Sequence, residues 1–184
     1  RLPAIVFNIM IYFLDETDGG APGWGREVLR HCLASSTSFT LTRSRFAGRG
    51  TPRDAERLLS PFYKFRFFTY DWIFYDVPWN SEPLCVSVFR STPEAARVVL
   101  DNTDDIFAPF GKISDGQTLE DFCFFRGKRP FFGTVSHEGI AAILAGDKRT
   151  KEDIFRVVPR KFWYRREIDG GIPERWFLPE KRRK

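Results

Sequence analysis

Residues 122–136 read FCFFRGKRPFFGTVS, and this stretch decides the fold that we expect for the chain. Two apolar runs, Phe122–Arg126 and Phe131–Ser136, flank the pair Gly127-Lys128. A glycine at the first position of a two-residue loop suits a type II′ turn, because that position requires a positive φ. The stretch therefore predicts a β-hairpin, in which Cys123 lies opposite Phe132.

A helix is predicted directly after the hairpin, over His137–Ala145. Ser136 can cap this helix, and Ile140, Ile143 and Leu144 share one face because they are spaced i, i+3 and i+4. We expect that face to pack on the hairpin, since the helix begins where the second strand ends and must bury its apolar side chains.

The remaining elements are indicated by capping residues and by apolar periodicity. Predicted helices cover Gly25–Ala34, the segment from Thr51 to Pro61, the segment from Thr92 to about Leu100, and the segment from Thr150 to Pro159. Predicted strands cover the aromatic segment Phe62–Val77 (as one strand or two joined by a bend), Leu84–Arg90 and Phe162–Glu167. The predicted strands and helices do not alternate regularly, as they would in a series of βαβ units. The order predicts an α+β fold, with an antiparallel or mixed sheet of about five strands and four or five helices packed mainly on one side.

Length and composition are those of a soluble globular protein. The chain has 184 residues, of which 42% are hydrophobic and 29% charged, so it can bury a core without disulfide bonds. These values exclude a disordered or collagen-like chain. We expect one globular domain over residues 1–180, followed by a basic, frayed tail at residues 181–184.

The N-terminal apolar run does not predict a membrane span. Leu2–Leu14 contains thirteen residues with one polar member, Asn8, whereas a transmembrane helix needs about 20 apolar residues. Acidic residues follow the run in place of a signal-peptide cleavage site. A buried strand, or two strand-length pieces, is the expected structure. The chain starts with Arg1, which suggests a fragment.

Charge is distributed unevenly along the chain. Residues 1–125 carry 13 Lys and Arg against 16 Asp and Glu, a net charge of −3, whereas residues 126–184 carry 16 against 8, a net charge of +8. A basic C-terminal third suggests an anionic partner such as nucleic acid. The alternative is a solubilising surface that happens to be basic.

The three cysteines indicate neither a disulfide framework nor a metal site. Cys32, Cys85 and Cys123 are widely spaced and form no CxxC pair. This usage favours the cytoplasm, and we expect no cofactor and no metal. Cys32 belongs to the apolar face of its helix, with His31 on the polar side. A dyad of Cys123 with His137 is not expected, because His137 lies five residues beyond the cross-strand partner of Cys123.

His137 and the acidic clusters are the candidate catalytic groups. His137 at a helix N-terminus could act as an acid or base near a bound anion. Asp101, Asp104 and Asp105 cluster at the end of one predicted helix, and Glu120 and Asp121 precede a strand. Such clusters are more often solvated loops than hydrolase centres.

The strongest candidate for binding is the segment RKFWYRR at residues 160–166. As a strand it would place Lys161, Trp163 and Arg165 on one face. Trp163 could stack on a base while these cations, with Arg160 and Arg166, hold phosphates. The alternative is that the aromatic side chains are core and the cations protect a sheet edge.

Three classes of function remain open on the sequence alone. The leading hypothesis is a non-catalytic binding module for an anionic partner, with nucleic acid as one candidate, that uses residues 160–166. The second is a protein-interaction domain, antitoxin-like or an adaptor, in which the excess of aromatic residues, 20 Phe and 5 Trp, forms a partner face. The third is a small enzyme that uses His137.

Overall fold

The computed structural model describes residues 9–15, 24–43, 53–73, 75–110, 118–144, 148–168 and 172–179. The strands in these ranges are β1 Ile9–Asp15, β2 Ser38–Arg43, β3 Tyr63–Thr69, β4 Asp71–Trp72, β5 Tyr75–Asp76, β6 Leu84–Arg90, β7 Leu119–Arg126, β8 Arg129–Val135, β9 Ile140–Ile143 and β10 Tyr164–Ile168. The α-helices are α1 Trp24–Ser35, α2 Arg53–Leu59, α3 Pro93–Asn102 and α4 Lys148–Val157. Residues 1–8 and the predicted tail at 181–184 lie outside the described residues.

Eight of the described strands form one antiparallel sheet in the order β10-β1-β9-β8-β7-β2-β6-β3. β4 and β5 pair separately as a short hairpin. The α+β class and the antiparallel sheet are confirmed. The sheet is larger than the predicted five strands, because β2 lies in a segment for which no element was predicted and a segment predicted as helix supplies β9.

The two faces of the sheet carry different coverings. Alternation along β7 sends Phe122 and Phe124 to one side and Cys123 and Phe125 to the other. The first side packs against apolar residues from all four α-helices. The second side is covered by the β4–β5 hairpin and by the C-terminal segment 172–178. The expectation of helices mainly on one side therefore agrees with the packing.

The predicted hairpin is confirmed, with a change of register. β7 and β8 pair around Gly127-Lys128, and Gly127 adopts a φ of +61°. The register shifts between Phe124 and Phe125, so Cys123 lies opposite Gly133 and not opposite Phe132. Such an irregularity cannot be read from alternation alone, because it adds one residue on one strand only.

The helix predicted over His137–Ala145 is wrong. Ser136–Glu138 form a single turn of 3-10 helix, Gly139 adopts a left-handed conformation with a φ of +65°, and Ile140–Ile143 form β9. β9 pairs with β8 and β1, so Ile143 and Leu144 are buried on opposite sides of the sheet. A short apolar run fits a strand or a helix equally, and pairing with two neighbouring strands decided this case.

The other predicted elements are found, with shifted ends. Thr92 caps α3, since its Oγ1 accepts a hydrogen bond from the N–H of Ala95 at 3.2 Å. The aromatic segment Phe62–Val77 divides into β3 and the β4–β5 hairpin. Thr150 lies inside α4 rather than capping it. In the part of the chain that the structure describes, no helix is long and apolar enough to cross a membrane.

Candidate functional site

The segment 160–166 does not form the strip that alternation predicts. Residues Arg160–Phe162 make a turn of 3-10 helix, and the strand β10 begins only at Tyr164. Trp163, between them, is 7% exposed and belongs to the core on the helix-covered side. Its indole Nε1 donates a hydrogen bond to the carbonyl oxygen of Val158 at 3.1 Å. Trp163 therefore does not present its ring to a base, and it shares no exposed face with Lys161 and Arg165.

The cations of this segment gather instead around Tyr12 on β1. The ring centroid of Tyr12 lies 5.7 Å from Nζ of Lys151 and 5.9 Å from Cζ of Arg160. Arg165 is the cross-strand partner of Tyr12 in the β1–β10 pair, so the two side chains lie on the same side of the sheet. Tyr12, Lys151, Arg160 and Arg165 are called the Tyr12 cluster below.

Packing explains why α4 delivers Lys151 to this place. Thr150 and Ile154 form the buried face of α4, and Phe155 contacts the ring of Tyr12 edge-on at 5.2 Å. With the helix held in this orientation, Nζ of Lys151 lies over the ring of Tyr12 on β1, the strand next to the edge strand β10. The cluster is thus anchored by the core and exposed on its outer side, where Arg160 and Arg165 are solvent-accessible.

Other cations near the cluster differ in their contacts. Nζ of Lys161 lies 4.9 Å from the ring centroid of Phe162. Lys148 pairs with Glu152 at 3.5 Å, and Arg156 with Asp153 at 2.6 Å. Arg166 occupies β10 opposite Ile11. The surface beside the Tyr12 cluster thus contains cations already neutralised by carboxylates as well as Lys161, which contacts a ring.

The excess of phenylalanine is used mainly in the core. Among the described residues, buried Phe side chains occupy both sides of the sheet at positions 39, 89, 107, 110, 122, 124, 125, 131 and 132. The exposed large aromatic side chains in the same ranges are Tyr63, Phe68, Trp79 and Tyr164. Aromatic content alone is therefore not a reason to infer a partner face.

The pair His31-Cys32 has the orientation that helical periodicity predicts. Cys32 is fully buried, and burial raises the pKa of its thiol well above the ordinary value. His31 is half-buried at the surface of α1, and burial lowers the pKa of its imidazole. A thiol that stays protonated inside the core is not a nucleophile.

Thiol labelling of the native protein should therefore distinguish the cysteines. We expect Cys85, which is half-buried on β6, to react before Cys32 and Cys123, which are buried and whose pKa values burial raises. Mass spectrometry of the labelled peptides measures this order. Labelling of Cys32 at the rate of a urea-unfolded control would contradict the helix face assigned to it.

Cys123 and His137 do not form a catalytic pair. Cys123 is buried in the core on the side away from the helices, and burial raises the pKa of its thiol. His137 is exposed, in the turn after β8. That turn has three residues and is followed by β9, so the helix N-terminus on which an anion site at His137 would depend is not formed.

The acidic cluster at residues 101–105 has a structural role. Asp104 pairs with Arg26 at 2.5 Å, and Oδ1 of Asp105 accepts a hydrogen bond from the N–H of Phe107 at 2.9 Å. Asp101 and Asp104 line an open groove of about 610 Å³ between α2 and the end of α3. Among the described residues that line this groove there is no His or Cys, and the further carboxylate, Asp54, pairs with Arg57 at 3.4 Å.

A second group of titratable side chains escaped prediction from the sequence. Glu120 and Asp121 at the start of β7 lie beside His137, and one ligand atom from each side chain lies within 4.8 Å of the others. The two acids and the histidine are separate candidates in the sequence, and the 3-10 turn at Ser136–Glu138 is what brings them together.

Comparison with protein-family models, with curated proteins and with solved structures found no match to this chain.

Proposed function

We propose that the chain is a non-catalytic binding module for a phosphate-bearing polymer, with single-stranded nucleic acid as the partner, bound at the Tyr12 cluster. The observation that carries the proposal is the convergence of Lys151 and Arg160 on one ring, with Arg165 as the direct cross-strand neighbour of that ring. Three cations around one aromatic ring can each contact a phosphate group of a linear polymer.

The electrostatics of the cluster support an anionic partner. Like charges repel, so holding Lys151 and Arg160 against one ring is unfavourable until an anion compensates them. Within the described part of the chain, neither Lys151 nor Arg160 has a carboxylate within ion-pair distance; each contacts the face of Tyr12 instead. The net charge of +8 over residues 126–184 adds long-range attraction for an anionic polymer.

The mode of binding differs from the one that the strand pattern suggested. Because Trp163 is buried, affinity would come from phosphate contacts rather than from stacking on that ring. Tyr164 is 55% exposed, but it follows Trp163 and precedes Arg165, so it points to the other side of the sheet from the Tyr12 cluster. The proposed binding is therefore electrostatic and strongly dependent on salt.

Removing one cation at a time should reduce the salt dependence of binding. For single strands each lost phosphate contact lowers the slope of log K against log salt by about 0.7. We expect this change for Lys151→Gln, Arg160→Gln and Arg165→Gln, measured by fluorescence anisotropy with a labelled oligonucleotide at several salt concentrations. Arg97→Gln removes an exposed cation from α3 and is the matched control, with an unchanged slope.

Three outcomes would contradict the proposal. Absence of oligonucleotide binding at low salt by the folded wild-type protein would remove nucleic acid as a partner and favour a protein-interaction domain. Equal effects of Arg97→Gln and the three cluster variants would mean that net charge, and not the cluster, attracts the polymer. If Arg165→Gln instead increased self-association without changing binding, the cation would protect the edge strand β10.

A further inference from the structure

Glu120 and Asp121 are adjacent in sequence, yet their carboxylates meet. Successive side chains of a regular strand point to opposite sides of the sheet. At this point the pairing of β2 with β7 shifts register between Thr40 and Thr42, and Asp121 adopts a φ of +57°. The bulge turns the Asp121 carboxylate toward Thr42, which pairs with Glu120. Both acids and His137 then offer ligand atoms within 4.8 Å of one another.

Hydrogen bonds hold Asp121 and the histidine turn in this arrangement. The Thr42 hydroxyl donates to Oδ2 of Asp121 at 2.9 Å, and the N–H of Ser136 donates to Oδ1 at 2.7 Å. The N–H of Asp121 donates in turn to Oγ of Ser136 at 3.1 Å. Partners of this kind fix the orientation of a ligating carboxylate. They also tie the residue before His137 directly to the acid.

The charge and burial of the group point to a cation. Glu120 is 8% exposed and Asp121 is 1% exposed, so two carboxylates lie close together away from bulk water. Burying two like charges side by side is unfavourable unless a positive charge is shared between them. His137 is exposed, so the third ligand lies at the protein surface, where an ion and its water molecules have access.

The side of β2 that carries Thr42 also carries the polar residue Thr40. Phe39 and Leu41 face the helix-covered core, so Thr40 and Thr42 face the other side. The hydroxyl of Thr40 is buried without a hydrogen-bond partner in the described structure. Thr40 thus adds an unsatisfied buried hydroxyl on the same side of β2 as Thr42, whose hydroxyl contacts Asp121.

We propose that Glu120, Asp121 and His137 form a binding site for one divalent transition-metal ion. Two carboxylate oxygens and one imidazole nitrogen suit Zn²⁺, with water completing the coordination, better than Mg²⁺ or Ca²⁺, which prefer oxygen ligands alone. The site is separate from the Tyr12 cluster, because Thr42 faces away from the helices whereas Tyr12 packs on the helix-covered side. It goes beyond the binding of a phosphate polymer and does not depend on it.

Zinc titration of the full chain tests the site. After removal of metal with a chelator, calorimetry with Zn²⁺ alone should show one equivalent bound, and thermal melts should show a higher Tm with Zn²⁺. Loss of an outer-shell partner commonly weakens metal binding by about 10–100-fold, so His137→Ala, which removes a ligand, should weaken it by at least that much. Because His137 is exposed, this variant should keep the fold.

His31→Ala is the matched control, since the chain has two histidines and His31 lies on α1. Wild-type affinity for His31→Ala with weakened binding for His137→Ala supports the site. Equal affinity in wild-type protein and His137→Ala, or no binding, would overturn it and leave an ion pair of His137 with the acids. Co²⁺ provides a second measurement, because a thiolate charge-transfer band would place the metal at a cysteine and would equally overturn the site.

Discussion

Replacing Trp163 with alanine should lower the free energy of unfolding by about 3–5 kcal/mol, as expected for a large buried aromatic side chain. Trp163 is 7% exposed, and its ring contacts Phe132 and Phe155 with centroid distances of 6.3 and 6.2 Å. The substitution removes both contacts and leaves the carbonyl of Val158 without its donor. Urea unfolding followed by circular dichroism measures the change.

Trp163→Phe separates the contribution of ring packing to stability from the contribution of the indole hydrogen bond. It keeps most of the apolar volume but leaves the buried acceptor unpaired, so we expect a smaller loss of about 1–3 kcal/mol. Wild-type stability of both variants would mean that the Trp163 side chain is exposed to solvent. If Trp163→Ala unfolded at the wild-type urea concentration but lost affinity for an oligonucleotide, the ring would be a stacking platform and its buried position would be wrong.

Replacing Phe124 with alanine should have a comparable effect, about 3–5 kcal/mol. Phe124 is fully buried at the centre of the sheet on β7. Its ring stacks on Phe122 at 5.8 Å and contacts Phe39, Phe131 and Phe132 at 6.3–6.5 Å. The resulting cavity would border both β2 and β8, so neighbouring side chains cannot easily collapse into it.

Phe68→Ala is the matched control for Phe124→Ala. Phe68 belongs to the edge strand β3 and is 63% exposed, so its replacement should change stability by no more than about 0.5 kcal/mol. Thermal or urea melts of both variants provide the comparison. Similar losses for the two variants would mean that β3 is covered and that the sheet does not end there.

Elements with local signals were predicted well from the sequence. The β7–β8 hairpin depends on Gly127 and on apolar runs that flank it directly, and α3 depends on a cap at Thr92 followed by proline. The helix face that buries Cys32 follows from periodicity within α1. Each signal lies within a few residues of the structure that it specifies, so no distant contact is needed to interpret it.

The candidate sites required knowledge of contacts between distant parts of the chain. Tyr12 lies more than a hundred residues before Lys151 and Arg160, and antiparallel pairing of β1 with β10 is what places Arg165 beside it. Residues 160–166 were recognised as basic and aromatic, but alternation assigned Trp163 to the wrong environment because a 3-10 turn precedes β10. Composition thus identified residues 160–166 as a segment that contributes cations to the Tyr12 cluster, but it could not show which of their side chains are exposed.

By itself, the amino-acid sequence determined the α+β class, the hairpin around Gly127, most of the helices and the basic character of the C-terminal third. These depend on turn chemistry, side-chain periodicity and charge, all of which act locally or add along the chain. Tertiary structure alone decided that Ile140–Ile143 is a strand, that Trp163 is core, and that Glu120, Asp121 and His137 meet. The physical reason is that strand pairing and bulges depend on partners far away in sequence, and a shift of one residue reverses which side chains are buried.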